Sequence, residues 1–321
     1  MISLFLYVFG GVMEKQVVDK LKYLINKKKT LKEITEALDL EPYEVYGLAV
    51  VLKESGLPYD IVNGEVVKVK YPELLSSDVK RINSDNKEEF CFVSDLHYAS
   101  VYDRPDLVQK IYEECKRREI STIFCCGDIT DGYYPDREDG DRVVKFTDAM
   151  KQAEYVANTH PYDPNIKFYM IGGNHDDTHM VNEGIDIGDR INKLRPDMIY
   201  LGMDEADIQI NKLKIKMFHG KSKRKTLLSS NAEKYLEHIP DNSKPHILQL
   251  GHIHQSFFMR DGYTNVFQTG SLLDQTPFLT RCKIRSERSC WFAKIDYDSE
   301  GYITSIIPEL KDYGRSLSRK K

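Results

Sequence analysis

Residues 122–131 read TIFCCGDITD, an apolar run followed by a glycine and an acidic turn. A short apolar run bounded by glycine is typical of a buried β-strand. Cys125 and Cys126 lie inside the run and are expected to be buried. Asp128 follows the predicted strand directly, so its carboxylate is expected to project from the edge of a sheet.

Four further apolar runs are also followed by residues that can bind metal, and each is predicted to be a buried strand. They are Phe90–Val93, Phe168–Ile171, Ile215–Phe218 and Ile247–Leu250. The five motifs, in chain order, are Asp95-Leu-His97, Gly127-Asp128-Ile-Thr-Asp131, Gly173-Asn174-His175-Asp176, His219-Gly220 and Gly251-His252-Ile-His254. Each motif alone is weak, but together they hold five of the nine histidines of the chain. Because ligands bind at the carboxyl ends of strands in α/β proteins, the five motifs predict one shared site.

These residue types suit the hydrolysis of a phosphate ester. Such a reaction needs neutralisation of the phosphate charge and a nucleophile made from water, and two cations about 3.5–4 Å apart supply both. Mixed imidazole and carboxylate ligands favour Mn, Fe, Zn or Ni over a metal that prefers thiolates. We therefore predict two divalent metal ions, with Mn as the first expectation.

The motif series D-x-H, GDxxD, GNHD, H-G and GHxH resembles the calcineurin-like metallophosphoesterase superfamily over residues 89–310. The resemblance implies an α/β fold, a four-layer αββα sandwich with the active site at one sheet edge. It also implies ligand roles by motif position: Asp95, His97 and His254 for the first metal, Asn174, His219 and His252 for the second, and Asp128 as the bridging carboxylate.

The resemblance gives the remaining motif residues supporting roles. His175 matches the histidine that donates a proton or stabilises charge at the leaving oxygen. Asp176 is expected to orient its ring, and a neighbouring carboxylate would raise the pKa of His175. For Asp131 we favour a cap on the following helix over a position behind the ligands.

Several features bear on the substrate. Asp176 in place of Glu, Gly132 in place of an arginine after Asp131, and the terminal GHxH all argue against a serine/threonine phosphatase. They resemble the repair nucleases of the superfamily and its class III cyclic-nucleotide phosphodiesterases. Residues 270–278 resemble the corresponding stretch in the exonuclease subunit of archaeal D-family DNA polymerase and in related phage phosphoesterases.

Two basic clusters follow the motifs and would suit a polyanionic backbone. The members are Lys221, Lys223, Arg224 and Lys225 in one, and Arg281, Lys283, Arg285 and Arg288 in the other. The alternative for each is a solvated loop. Tyr98 and Tyr102 could stack on a base, although packing is the favoured interpretation.

These features lead us to predict a phosphodiesterase that uses metal-activated hydroxide on nucleic acid, with DNA as the preferred partner. The alternative is a phosphodiesterase for cyclic nucleotides or other small molecules. A protein phosphatase and a non-catalytic DNA-binding module are weaker alternatives.

A separate unit is predicted over residues 14–71. Helical spacing begins at Val17, Thr30 caps a helix over Leu31–Leu38, and Pro42 opens a third helix. The Asn63-Gly64 pair between β-branched residues predicts a hairpin. Three helices and a hairpin resemble a winged helix-turn-helix, which leaves DNA binding open, with protein docking or self-association as the favoured alternative.

The remaining segments complete the predicted organisation. Residues 1–13 form an apolar segment too short to span a bilayer, either a docking segment or sequence upstream of a start at Met13. Residues 72–88 form a polar linker, and 311–321 a basic tail. The chain of 321 residues carries a net charge of −4, which excludes a global positive field for nucleic acid. Six cysteines without C-x-x-C pairs, and no secretion signal, favour a cytoplasmic protein with no membrane partner.

Overall fold

The structure is a computed structural model of the chain. It describes residues 7–8, 11–12, 15–54, 59–62, 64–68, 77–78, 86–137, 140–220 and 228–314. The chain divides into two compact units, Met1–Leu74 and Leu75–Lys321. The boundary falls inside the segment that we predicted to be a linker.

The first unit contains three helices followed by a β-hairpin. Its elements are β1 (Tyr7–Val8), β2 (Gly11–Val12), α1 (Lys15–Asn26), α2 (Leu31–Leu38), α3 (Pro42–Glu54), β3 (Tyr59–Val62) and β4 (Glu65–Lys68). Thr30 and Glu33 form a reciprocal capping box that starts α2. In the hairpin, Val62 pairs with Glu65, and Gly64 has a φ of 79°. The predicted helices and hairpin are confirmed as elements, whereas a nucleic-acid role for the unit stays a prediction.

The second unit contains most of the strands. Its strands are β5 (Ser77–Asp78), β6 (Lys87–Val93), β7 (Thr122–Cys126), β8 (Lys167–Gly172), β9 (Met198–Met203), β10 (Glu205–Ile210), β11 (Leu213–Phe218), β12 (Ile247–Leu250), β13 (Phe257–Asp261), β14 (Thr264–Gln268), β15 (Ser289–Tyr297) and β16 (Ile303–Asp312). Its helices are α4 (Pro105–Arg117), α5 (Gly140–Val143), α6 (Ala149–Thr159), α7 (Asp177–Glu183), α8 (Ile187–Leu194), α9 (Ser230–Glu237) and α10 (Pro277–Arg281), with a 3₁₀ turn at Asp241–Ser243.

These strands form two six-stranded sheets. The first has the order β16-β15-β6-β7-β8-β9, and the second has the order β13-β14-β12-β11-β10-β5. Strands β6 to β9 run parallel, as do β11, β12 and β14. The predicted linker thus contributes β5, which pairs with β10.

Alternation along the strands separates two cores. Cys91 and Val93 of β6 pack with α4, α6 and α8, whereas Phe90 and Phe92 face the second sheet. The rings of Phe92 and Phe267 stack between the sheets with centroids 4.7 Å apart. A third cluster packs α9 on the second sheet. The layers are therefore helix, sheet, sheet and helix, which confirms the predicted αββα sandwich.

The described helices include none that is long and apolar enough to cross a membrane.

A buried histidine links a helix to the loop that carries His97. His160 Nδ1 lies 3.1 Å from the Tyr98 hydroxyl, and its Nε2 lies 2.9 Å from the Tyr112 hydroxyl. Tyr98 is buried, which agrees with the favoured packing interpretation rather than base stacking. Burial lowers the pKa of His160 from its ordinary 6.5 to about 3, with Arg195 adding to the effect.

This pKa predicts acid sensitivity of the second unit. Below pH 6.5, His160 binds a proton in the unfolded chain but not in the folded chain. The free energy of unfolding therefore falls as the pH drops toward 3. His160→Gln should weaken that slope by up to about 1.4 kcal/mol per pH unit. The measurement is urea unfolding between pH 7 and 5, followed by fluorescence of Trp291, the one tryptophan of the chain.

The exposed His238→Gln provides the matched control and should keep the wild-type slope. Parallel pH dependence of wild type and His160→Gln would contradict this account.

Candidate metal centre

The five predicted motifs lie at the carboxyl ends of five strands that belong to both sheets. Strands β6, β7 and β8 of the first sheet and β11 and β12 of the second end beside the motif residues. This corrects the expectation of a single sheet edge, since the two packed sheets meet at the site. Backbone bonds join the loops, with Asp95 N donating to Gly127 O and His97 N to Asp128 O, both at 3.0 Å.

The first group of candidate ligands is Asp95, His97 and His254. His254 Nε2 lies 3.1 Å from Asp95 Oδ1 and 3.1 Å from His97 Nε2. All three residues are buried, and their ligand atoms lie within 4.8 Å of one another. These three donors were predicted to hold one metal, and the structure brings them together.

The second group is Asp128, His219 and His252, with Asn174 beside it. His219 Nε2 lies 3.2 Å from Asp128 Oδ2 and 3.2 Å from Asn174 Oδ1. Asp128 Oδ2 also lies 3.8 Å from His97 Nε2. Asp128 therefore stands between the two groups, where the resemblance placed the bridging carboxylate.

Hydrogen bonds behind the ligands fix which ring nitrogen faces the site. His219 Nδ1 donates to Cys126 O at 2.6 Å, and His97 Nδ1 donates to Asp131 Oδ1 at 3.1 Å. Because Nδ1 is engaged in each ring, Nε2 is the nitrogen directed at the other ligands.

The backbone of the site is held in an uncommon conformation. Five candidate ligands have a positive φ: Asp95 (54°), His97 (47°), Asp128 (50°), His252 (75°) and His254 (55°). Such φ values are sparsely populated by residues other than glycine and mark functional sites when they cluster. No sequence signal singled out this feature beforehand.

Gly173 is required because two candidate ligands lie close to its Cα atom, and not because of a turn. A Cβ atom on Gly173 would collide with Asp128 Oδ1, and it would lie only 2.7 Å from His219 Nε2. Any side chain there would occupy the space between two candidate ligands. The glycine of GNHD is thus explained by the ligands that it adjoins.

Asp131 supports two histidines and caps no helix, which corrects our favoured interpretation. Its carboxylate binds His97, and its backbone oxygen lies 2.6 Å from His175 Nδ1. No helix starts at this residue, since the described chain continues irregularly to α5. The sequence did contain a signal for this supporting role, because Asp131 is the last residue of the second motif.

The described hydrogen bonds of the Asp176 carboxylate do not include the His175 ring, which corrects its expected orienting role, whereas its assignment as a catalytic residue stays a prediction. Its buried carboxylate accepts bonds from Ile129 N (3.0 Å), Thr130 N (2.8 Å), Thr130 Oγ1 (2.8 Å) and Gly173 N (2.9 Å). Asp176 therefore holds the loop after β7 against the loop after β8. The contact that orients the His175 ring comes from Asp131 instead.

A comparison with protein families matches residues 89–282 to the calcineurin-like phosphoesterase superfamily domain, more than half of the chain. The chain belongs to this superfamily. It is a metal-dependent phosphoesterase, and the superfamily depends on a dinuclear metal site. A comparison with curated protein sequences gives no significant match.

Solved structures of low sequence identity resemble this phosphoesterase. An archaeal phosphodiesterase is 14% identical, with 70% of this chain and 99% of that chain covered and a TM-score of 0.40. Vacuolar protein sorting 29 from Cryptosporidium parvum is 12% identical, with coverage of 71% and 99% and a TM-score of 0.38. The same protein from Entamoeba histolytica, complexed with zinc, is 13% identical, with coverage of 70% and 98% and a TM-score of 0.35.

The donor set of the phosphoesterase fits a pair of divalent cations. Asp95 Oδ1 is buried and accepts no hydrogen bond, although His254 Nε2 is 3.1 Å away, so both atoms point at a shared centre. Burial opposes charge on His219, but Asp128 outweighs it and raises the pKa of His219 to about 10. Burial likewise opposes charge on Asp128, yet His219 and His175 hold its pKa well below the ordinary value. The site thus concentrates negative charge that a cation would neutralise.

His175 differs from His97 and His219, whose pKa values are raised, and from our expectation. Burial lowers its pKa to about 4, even though Asp128 acts in the opposite direction. The predicted increase from a neighbouring carboxylate was therefore wrong, because the removal of the ring from water outweighs the nearby charge.

A cavity of about 600 Å³ opens beside the candidate ligands. His97, Asp128, Asn174, His175, His252 and His254 all line it. Much of the remaining lining is apolar and comprises Val143, Val144, Ile253, Leu273, Phe278, Leu279 and Ile284.

Of the predicted basic contacts, those that the structure describes do not line this cavity. Arg281, Lys283 and Arg285 are exposed, whereas their neighbours Phe278, Leu279, Cys282 and Ile284 supply the lining. Arg288 is paired with Asp274. Arg281, Lys283 and Arg285 therefore lie outside the cavity wall, to which this segment turns its apolar side chains, and their role as substrate contacts stays a prediction. The other predicted cluster, Lys221, Lys223, Arg224 and Lys225, lies outside the described residues.

Asp131→Asn should weaken metal binding without direct loss of a ligand. An amide is a poorer acceptor for His97 Nδ1, and loss of such a supporting carboxylate costs about 10- to 100-fold in metal affinity. The measurement is calorimetric titration of the metal-free protein with Mn²⁺.

Asp106→Asn is the matched control, since the carboxylate of Asp106 on α4 binds Arg104 rather than a candidate ligand. Equal Mn²⁺ affinities for wild type and Asp131→Asn would show that Asp131 does not support His97.

Proposed function

We propose that the chain is a phosphodiesterase that acts on small, nucleotide-sized substrates. The observation that carries the proposal is the cavity of about 600 Å³ beside the candidate ligands, with its largely apolar remaining wall. Pockets of about 300–1,000 Å³ are typical of small-molecule sites. Apolar walls suit a nucleobase or another aromatic substituent of the ester.

The candidate ligands form two sets, one for each cation. Asp95, His97 and His254 would hold one cation, and Asn174, His219 and His252 the other, with Asp128 between them. When bound, two divalent cations neutralise phosphate charge and make water acidic enough to act as a nucleophile. Asn174 Nδ2 donates to the Tyr134 hydroxyl at 3.2 Å, which keeps its Oδ1 directed at the site.

His175 is proposed to donate a proton to the ester oxygen that leaves, once the negative charge of the bound phosphoester has raised the low pKa of its ring. Its Nδ1 is engaged by Asp131 O at 2.6 Å, which leaves Nε2 for this transfer. The ring lies edge-to-face against His97, with centroids 4.5 Å apart, and lines the cavity. Proton transfer by such a positioned group contributes about 10²- to 10⁴-fold to rate.

A diester is favoured over a monoester by charge. A diester carries one negative charge and two substituents, whereas a monoester dianion calls for more cationic partners. The described lining of the cavity holds one arginine and no lysine. Gly132 also occupies the position where phosphoprotein phosphatases of the superfamily have an arginine.

The preference for DNA that the sequence suggested finds less support. A nucleic-acid backbone is bound through rows of phosphate contacts. The described basic residues Arg281, Lys283 and Arg285 do not line the cavity, so a small-molecule substrate becomes the better proposal. DNA binding by the helical first unit stays a prediction.

The test of the proposed function is a Mn²⁺-dependent activity panel. Bis-p-nitrophenyl phosphate and cyclic nucleotides should be hydrolysed with higher kcat/KM than p-nitrophenyl phosphate or labelled DNA. Replacement of Arg281, Lys283 and Arg285 by glutamine should leave these values unchanged. Faster cleavage of the monoester, or degradation of DNA alone, would contradict the proposal.

His175→Ala should lower kcat while the metal content of the protein stays unchanged. The decrease should be larger for a cyclic nucleotide than for bis-p-nitrophenyl phosphate, because nitrophenolate leaves readily without a proton. His238→Ala, which removes an exposed histidine, is the control for both measurements. An equal decrease for both substrates, or loss of metal, would mean that His175 has another role.

A further inference from the structure

The proposed function gives no role to Arg137, a positively charged side chain in the cavity. Arg137 lines the cavity together with the candidate metal ligands. Every other charged residue among the described lining is acidic or is a histidine. A phosphoester substrate is anionic, so an isolated arginine in its binding cavity calls for an explanation.

The position of Arg137 is fixed by two aromatic rings. Its guanidinium carbon lies 3.4 Å from the centroid of the Tyr134 ring and 5.0 Å from that of Phe278. Backbone bonds from Arg137 N to Tyr134 O (3.1 Å) and from Gly140 N to Arg137 O (2.9 Å) hold the turn. Stacking restricts the side chain before any ligand binds, so less entropy is lost when it makes hydrogen bonds.

The charge of Arg137 is not neutralised by a described carboxylate. No ion pair among the described residues includes Arg137, whereas Arg104 and Arg288 both bind Asp274. Stacking on rings uses the faces of the guanidinium and leaves its N–H groups in the plane available. Those N–H groups match the geometry of phosphate oxygens.

Tyr134 connects Arg137 to the candidate metal centre. Its hydroxyl accepts from Asn174 Nδ2 at 3.2 Å, and its ring lies 5.0 Å from the His175 ring. The Tyr134 side chain therefore contacts a candidate ligand (Asn174), the candidate proton donor (His175) and Arg137.

We propose that Arg137 is a specificity-determining residue that binds a phosphate oxygen of the substrate. This inference rests on the proposed phosphodiesterase function and deepens it. The oxygen belongs either to the scissile phosphate or to a second phosphate on the same molecule. In both cases the substrate is aligned between Arg137 and the candidate metal ligands, with its apolar part against Phe278 and the aliphatic wall.

The test compares three substrates and two variants. The substrates are bis-p-nitrophenyl phosphate, thymidine 5′-(p-nitrophenyl phosphate) and the same thymidine ester with a 3′-phosphate. Arg137→Met keeps the packing on the rings and removes the charge, whereas Arg137→Lys keeps the charge. Thermal unfolding of both variants checks that the fold is retained.

Loss of a charge-assisted hydrogen bond predicts a decrease in kcat/KM of about 10-fold or more for Arg137→Met, with partial recovery in Arg137→Lys. A decrease for all three substrates assigns Arg137 to the scissile phosphate. A decrease confined to the 3′-phosphorylated ester assigns it to a second phosphate. Values within about twofold of wild type for all three, or equal losses in both variants, would overturn the proposal.

Failure of the proposed function itself gives a different result. If the wild type hydrolyses none of the three esters, the phosphodiesterase proposal fails. Arg137 is then tested by calorimetry with inorganic pyrophosphate, where wild type should bind about 10-fold more tightly than Arg137→Met. Equal affinities there would overturn the role of Arg137 as an anion-binding residue.

Discussion

The structure of the site depends on one buried carboxylate, Asp128. Its Oδ2 lies 3.2 Å from His219 Nε2 and 3.8 Å from His97 Nε2, and its Oδ1 accepts from His175 N at 2.8 Å. His97 comes from the loop after β6, and His219 from the loop after β11 of the other sheet. A carboxylate in this position requires strands of both sheets to end at the same place. The site therefore forms only when the two sheets pack as they do in the αββα sandwich.

Burial of several charged and polar groups works against stability unless each one has partners. Asp131 binds His97, Cys126 O binds His219, and Asp176 binds the loop after β7, while five candidate ligands adopt a positive φ. The apolar layers on either side of the first sheet supply the compensating stability, above all the phenylalanine rings packed between the sheets. We infer that the site holds its ligands ready for cations rather than assembling them on binding.

Much of this could be predicted from the sequence because apolar runs and polar motifs are local signals. The bounds Thr122–Cys126 and Ile247–Leu250 are those observed, and the motif residues do meet. Asp131 and Asp176 were misassigned because neighbours in sequence were taken as neighbours in space. Charged residues such as Lys283 were expected at the substrate because pattern alone does not reveal which side of a short helix and loop faces a cavity. The place of Arg137 in the cavity depends in part on its contact with Phe278, which is distant along the chain, and no local pattern encodes that contact.

This phosphoesterase is proposed to bind two divalent cations with Asp128 between them. Anomalous diffraction from crystals of the Mn²⁺-loaded protein, collected at the manganese absorption edge, tests this directly. We expect two anomalous peaks about 3.5–4 Å apart, both in contact with the Asp128 carboxylate. A single peak, or two peaks of which Asp128 contacts only one, would contradict it.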